Sequence, residues 1–374
     1  MSVLAPRVGY NVLRVRCEDR TVDPITDDDA LPTGAKPRRV TIVDVARAAE
    51  VSVASASKVM RDAPRTSEAM RRRVLAKVQE LGYRPHRLAQ GLRGPLKTIG
   101  MLLPDVSNPY FGLLLQGASE VFADAGYEIF ISPAGAQAAT HLSVMESLID
   151  HLMAGLLLVA PRGTPETLER IAAQVPVVVL GRHGPGRTYD TVAGDDAAGA
   201  RLVVDHLVEQ GHSRITYLAN IVDEGPELLE TARLDGYVGA MRRHGLEEHI
   251  DIVQGEWTDA GGRRLAAELL SRTERPTAVF AGADVAAIGL LGEFWEHGIA
   301  IPDDIAVVGY DNSQMSQLRP ISLSSVDQSG LEAGRIAARL LLERIEGRTT
   351  TKDELLAPSL IVRRTSDRGA DLSR

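Results

Sequence analysis

The residues in this chain that could carry covalent chemistry do not assemble into a recognisable reaction centre. Ser55-Ala56-Ser57-Lys58 is formally an SxxK pattern, in which a lysine activates a serine, but neither SDN nor KTG accompanies it. His244 and His249 bracket Glu247-Glu248 at a spacing of five, which misses both HExxH and HxxEH. No Walker-type phosphate loop is present, and no GxGxxG follows an apolar run. The single cysteine, Cys17, excludes an intrachain disulfide and any cysteine-based metal cluster. These patterns point away from an enzyme and call for neither cofactor nor metal. What remains is binding chemistry. Between positions 41 and 58 the hydroxyls of Thr41, Ser52, Ser55 and Ser57 and the amine of Lys58 lie close in sequence, as groups that meet phosphates and base edges do.

Charge distribution supports that reading. From Lys36 to Lys97 there are 15 Lys and Arg against 5 Asp and Glu, whereas residues 98–374 carry 23 against 39. A compact basic segment on a large acidic body suits a polyanion-binding module joined to a ligand or partner domain, with chance clustering of solvated charge as the plainer account. At 374 residues the chain is long enough for two or three domains. No run approaches the roughly 18–20 apolar residues of a bilayer span, and Met1 to Arg20 lacks the form of a secretory signal, so a cytoplasmic location is expected.

The elements that must position the hydroxyls are legible. Thr41-Ile42-Val43-Asp44 fits a capping box, and the helix it opens would bury Ile42, Val45, Ala46 and Ala49. Ser52 is a good cap for a second short helix, Val53–Met60. A third is expected from Ser67 to Leu81, with Met70, Val74, Val78 and Leu81 on one stripe and Gly82 as its stop. Two short helices, a tight turn and a third helix make a helix-turn-helix unit. In that unit the second helix enters the major groove, so Val53, Ala54 and Ser55 would face bases, with Ser57 and Lys58 nearer phosphates. A three-helix bundle that never meets nucleic acid has the same apolar spacing; the adjoining positive charge argues against it.

From Thr98 onward continuous apolar runs recur at Thr98–Leu103, Glu128–Ser132, Gly155–Ala160, Val177–Leu180, Ile215–Ala219, Ala278–Ala281 and Ile305–Tyr310. Segments with helical spacing lie between them, among them Phe111–Ala125, Ala198–Gln210 and Gly261–Ser271. Such alternation indicates parallel sheets covered on both faces, with enough strands for two. Gly126, Gly211 and Gly245 fall where helices should stop.

Specific motifs now come into register. Val40-Thr41-Ile42-Val43-Asp44-Val45-Ala46, Val51-Ser52 and Tyr83-Arg84-Pro85-His86-Arg87-Leu88-Ala89-Gln90-Gly91-Leu92 resemble the DNA-binding head and hinge of the lac-repressor (LacI/GalR) family. The resemblance continues through Ile99-Gly100, Asn108-Pro109-Tyr110-Phe111, Gly211-His212, Val307-Val308-Gly309-Tyr310-Asp311 and Leu360-Ile361-Val362-Arg363-Arg364. It implies a hinge that becomes helical on the operator and inserts Leu92 between central bases, with Arg87, Ala89 and Arg93 against the duplex. It also implies a body like a periplasmic sugar-binding protein, with two lobes and an effector between them. Asn108, Tyr110, Phe111, Arg233, Trp257 and Asp311 match ligand-contacting positions. Packing, capping or surface charge is the plainer account of several of these residue types. Two departures are notable: Glu50 stands where glycine is usual in the turn, and Ala283 precedes Asp284 where many sugar-binding members have Asn. Arg182 and His183, after the strand at 177–180, would favour an anionic ligand.

The expected organisation is therefore a disordered leader (1–39), an all-α helix-turn-helix head (40–84), a hinge helix and linker (85–97), a two-lobed α/β periplasmic-binding-protein-like core (98–364) and a tail (365–374). The expected function is a ligand-responsive repressor of a carbohydrate-utilisation or related metabolic operon. It would bind a pseudo-palindromic double-stranded operator as a homodimer, with a sugar or sugar derivative as effector and no membrane partner. The competing accounts are a cytoplasmic sugar-binding protein with a vestigial head and an α/β enzyme fused to a DNA anchor.

Overall fold

The computed structural model describes residues 40–60, 66–83, 96–220 and 228–367. The leader, the hinge residues Arg87, Ala89, Leu92 and Arg93, and the end of the tail lie outside them. The chain divides into two compact units, one ending at His86 and one beginning at Arg87.

The first unit contains three helices: α1 (Ile42–Ala48), α2 (Val53–Met60) and α3 (Glu68–Glu80). The capping box forms. Thr41 Oγ1 accepts from the Asp44 amide at 3.3 Å, and the Asp44 carboxylate accepts from the Thr41 amide at 2.9 Å. Ser52 Oγ accepts from the Ser55 amide at 3.1 Å, starting α2, and Ser67 does the same for α3 through the Met70 amide. Val45, Ala46, Ala49, Ala56, Val59 and Val74 form the buried core, with Ile42, Met70, Val78 and Leu81 packed around it.

Helix α1 ends in a Schellman turn: the Val51 amide donates to the Ala46 carbonyl and the Glu50 amide to the Arg47 carbonyl. Glu50 thereby takes φ 52°, a left-handed conformation that strains any residue with a Cβ. We expect Glu50→Gly to stabilise this unit by about 1 kcal/mol. Hydrogen exchange of the Val45 and Val59 amides in the full chain, slower in the variant, would verify it.

The second unit contains two six-stranded sheets. The first has the order β11-β5-β4-β3-β1-β2 and is parallel throughout. Its strands are β1 (Thr98–Leu103), β2 (Glu128–Pro133), β3 (Gly155–Val159), β4 (Val177–Leu180), β5 (Asp190–Gly194) and β11 (Asp353–Leu356). The second has the order β12-β10-β9-β8-β6-β7, parallel except for β12. It comprises β6 (Ile215–Ala219), β7 (Ile250–Gln254), β8 (Ala278–Ala281), β9 (Ala306–Tyr310), β10 (Ser324–Asp327) and β12 (Ser359–Ile361).

Helices α4 (Pro109–Asp124), α5 (Ala138–Asp150), α6 (Pro165–Ala172) and α11 (Gly330–Ile345) belong to the first lobe. Helices α7 (Asp196–Glu209), α8 (Leu229–Arg243), α9 (Asp259–Ser271) and α10 (Asp284–Glu296) belong to the second. Each sheet buries an apolar layer on both faces. The chain passes between lobes three times: from β5 into α7, from β10 into α11, and from β11 through Ala357-Pro358 into β12. Gly126, Gly211 and Gly245 follow α4, α7 and α8 with positive φ, as helix stops require. Among the described residues no helix is long and apolar enough to cross a membrane.

Candidate functional site

Two surfaces bring chemistry together, one in each unit. On α2, burial of Ala56 and Val59 turns Ser52, Val53, Ala54 and Lys58 outward, with Ser55 and Ser57 half-buried between. Val53 is 44% exposed, unusual for a valine in so small a core and consistent with an apolar contact to a partner. The hydroxyls are less available than their spacing suggests. Thr41 Oγ1 is held by Asp44, and Ser52 Oγ and Ser55 Oγ lie 2.9 Å apart in a mutual hydrogen bond. Thr41 therefore acts first as the α1 cap.

The second surface is a cavity of about 550 Å³ between the two lobes. Its wall is built from the segments that follow the C-terminal ends of strands: Pro104 after β1, Ala160 after β3, Gly181 after β4, Asn220 after β6, Gly282 after β8 and Asp311 after β9. Open α/β sheets place ligands at such ends.

Asn108, Tyr110, Phe111, Arg233, Trp257 and Asp311 all line this one cavity. Asn108 caps α4 through the Tyr110 amide at 2.9 Å and points its other end at Asp311, 3.4 Å away in the opposite lobe. Arg233 is 2% exposed and donates to Asp196 Oδ1 at 2.5 Å and to the Gly282 carbonyl. Its guanidinium lies 3.5 Å from the Tyr310 ring centroid and 4.6 Å from that of Trp257. Burial works against the Arg233 charge, but Asp196 outweighs it and holds the group fully protonated. Burial likewise raises the Asp196 carboxyl, yet Arg233 and His183 bring it below its usual range. Gly282 makes room for the Trp257 indole, since a Cβ there would fall 2.2 Å from the ring. The indole N–H donates to the Leu218 carbonyl at 3.0 Å.

Arg182 is a correction. It is absent from the cavity wall, which at this point is formed by Gly181 just beyond the end of β4. Its guanidinium is buried on the carbonyls of Pro161 (3.1 Å) and Gly163 (2.8 Å). His183 is likewise committed, with Nε2 2.9 Å from Asp196. Neither residue favours an anion.

Sequence reasoning missed Asp196, Arg162, Glu230 and Gln328. Arg162 of the first lobe and Glu230 of the second form a buried pair at 2.5 Å. Gln328, in the second crossing, donates to Asp311 at 2.6 Å. His141 places Arg162: its Nδ1 accepts from the Arg162 amide, leaving Nε2–H for the Gly135 carbonyl.

Asp311 has φ 115° and Asn312 φ 46°, so the loop after β9 is held in a strained form. Behind it Asp284, nearly inaccessible, accepts from Ser325 Oγ and the Ser313 amide. Burial pushes its carboxyl up to about 6 despite those donors. In the unfolded chain the same group titrates near 3.9. The native protein therefore binds the extra proton between those values. The group's stabilisation is full below about pH 4 and lost as pH rises through about 6, on the order of 3 kcal/mol. Thermal melts from pH 4 to 8 should show wild type losing more stability than Asp284→Asn over that window; equal slopes would refute the assignment.

Comparison with known proteins decides the family. Residues 41–86 match the lacI family of bacterial regulatory proteins, and residues 204–366 match a periplasmic binding protein-like domain. The HTH-type transcriptional repressor CytR of Escherichia coli K12 is 31% identical over 329 residues, covering 86% of this chain and 95% of its own. This chain belongs to the lacI family. The lac repressor dimer bound to operator and an anti-inducer superposes with a TM-score of 0.73 at 25% identity, covering 88% of this chain and 99% of that one. The transcriptional regulator CelR in complex with cellobiose gives 0.63 at 27%, covering 87% and 100%. The all-α helix-turn-helix head and two-sheet α/β core are thus those of lacI-family proteins, whose curated relatives are transcriptional regulators.

Proposed function

We propose that this chain is an effector-responsive repressor that reads a pseudo-palindromic operator as a homodimer and takes a sugar or sugar derivative between its lobes. The observation that carries this reading is the cavity itself: six residues expected to contact ligand, from both lobes, converge on it beside two of the three chain crossings. Closure around a ligand changes the angle between lobes, and a state that binds effector differently binds DNA differently by the same factor. One head covers half a site, so two-fold symmetry completes recognition. On α2, Val53, Ala54 and Ser55 read bases while Ser57 and Lys58 meet phosphates; Arg87, Ala89, Leu92 and Arg93 serve the hinge, with Leu92 as wedge. Catalysis is not part of this reading, and the protein works in the cytoplasm.

Selection of bound fragments from the source genome, followed by titration of the best site at several salt concentrations, tests it. The expected result is a palindromic site bound at least about 10³-fold tighter than bulk DNA, with a steep negative salt slope. Weak, sequence-blind binding would instead favour a sugar-binding protein with a vestigial head. Leu92→Ala should weaken operator binding and leave effector binding intact, whereas Asp311→Ala should do the reverse. Loss of the same function in both would overturn the two-module account.

A further inference from the structure

The reading face of α2 offers bases little to hydrogen-bond with. The helix, Val53–Met60, contains no Arg, Asn, Gln, Asp or Glu, the side chains that tell guanine, adenine and cytosine edges apart. Its cation, Lys58, stands in the last turn. The hydroxyls of Ser52 and Ser55 lie 2.9 Å apart in a mutual bond, and Ser52 also accepts from the Ser55 amide. What the start of the helix presents instead is apolar. Val53 is 44% exposed and Ala54 is exposed beside it, while Ala56 and Val59 fill the core. Ala54 and the exposed Lys58, four residues apart, share one side of the helix, and the amine orients that side to a polyanion.

We propose that α2 reads its half-site through the 5-methyl groups of thymine, with Val53 and Ala54 as the contacting side chains. The proposal rests on the DNA-reading role given to α2 above and names the base chemistry that role uses. Every base pair shows hydrogen-bonding groups in the major groove, and the thymine methyl is the apolar feature among them. A valine set against a guanine or cytosine edge strips water from polar groups and returns no hydrogen bond, which is unfavourable. Against a methyl, the same side chain removes apolar surface from water on both partners. Valine is also stiff: β-branching leaves it one preferred rotamer in a helix, so its methyls are already in place before DNA arrives. Ala54 has no rotamer to order, and its short side chain lets the helix approach closely. The pair therefore selects by shape and apolar contact, at little cost in side-chain freedom.

The test uses the full-length protein and the best site selected from the source genome. Synthetic duplexes of that site, each with one thymine replaced by uracil, keep every base pair and lose a single methyl. Titrated by fluorescence anisotropy at fixed salt, uracil at one or two positions of each half-site should weaken binding about threefold to tenfold. In Val53→Ala the penalty at one of those positions should largely disappear. At the same position 5-methylcytosine should bind better than cytosine, a comparison that stands even if the variant fails to fold. Uracil tolerated throughout, or a penalty that Val53→Ala leaves unchanged at every position, would overturn the proposal while leaving the repressor reading intact. Selection of no site would overturn both.

Discussion

Arg233→Met should destabilise the second unit by about 3–5 kcal/mol and abolish the effector response. The substitution leaves Asp196, 2% exposed, with His183 as its remaining ion-pair partner among the described residues. It also withdraws the cation held between the Tyr310 and Trp257 rings. Breaking one side of a buried pair costs more than the pair contributes, because the surviving charge stays desolvated. Adding Asp196→Asn removes that charge and should recover part of the stability, a non-additivity that urea unfolding of both single variants and the double variant would measure. Additive losses would mean that Arg233 acts through packing and not through its partner.

Glu230→Gln should cost about 3 kcal/mol and weaken effector binding about tenfold or more. Arg162 and Glu230 come from different lobes, and both line the cavity, so their pair favours the closed arrangement even without ligand. Its loss shifts the population toward an open form that must be closed at the ligand's expense. In the combination Arg162→Met with Glu230→Leu, apolar packing replaces the pair, and stability should recover more than effector affinity does. If calorimetry shows unchanged affinity in Glu230→Gln, the pair is a structural tie and not a closure contact.

Much of this architecture was legible for a physical reason. The apolar runs at β1, β3, β4, β6, β8 and β9 belong to strands covered on both faces, and such strands can carry almost no polar residue. The strands not recognised break that rule. β5 begins with Asp190, buried on Arg344 and Arg348; β10 begins with two serines whose hydroxyls are satisfied inside; β7 is a half-exposed edge. The site divides in the same way. Asn108, Tyr110, Phe111, Trp257 and Asp311 belong to local motifs, whereas Arg162 and Glu230 are 68 positions apart and belong to no common pattern. Arg182 misled because its residue type suggests a ligand while its backbone neighbours claim it.

The order in which the chain is made carries a last consequence. Among the described residues the small three-helix core draws only on positions from Val40 to Tyr83, so it can fold once that stretch has left the ribosome. Neither sheet can be finished so early. β11 and β12, an edge strand of each, arrive at residues 353–361, and α11, which covers the first sheet, only shortly before. At about 5–20 residues per second, the interval is roughly 15 to 60 s. For that time every nascent copy holds the residues of a complete three-helix core and an unfinished pair of sheets. Pausing or truncation near the end of the message would thus yield chains with a complete three-helix core and neither sheet finished.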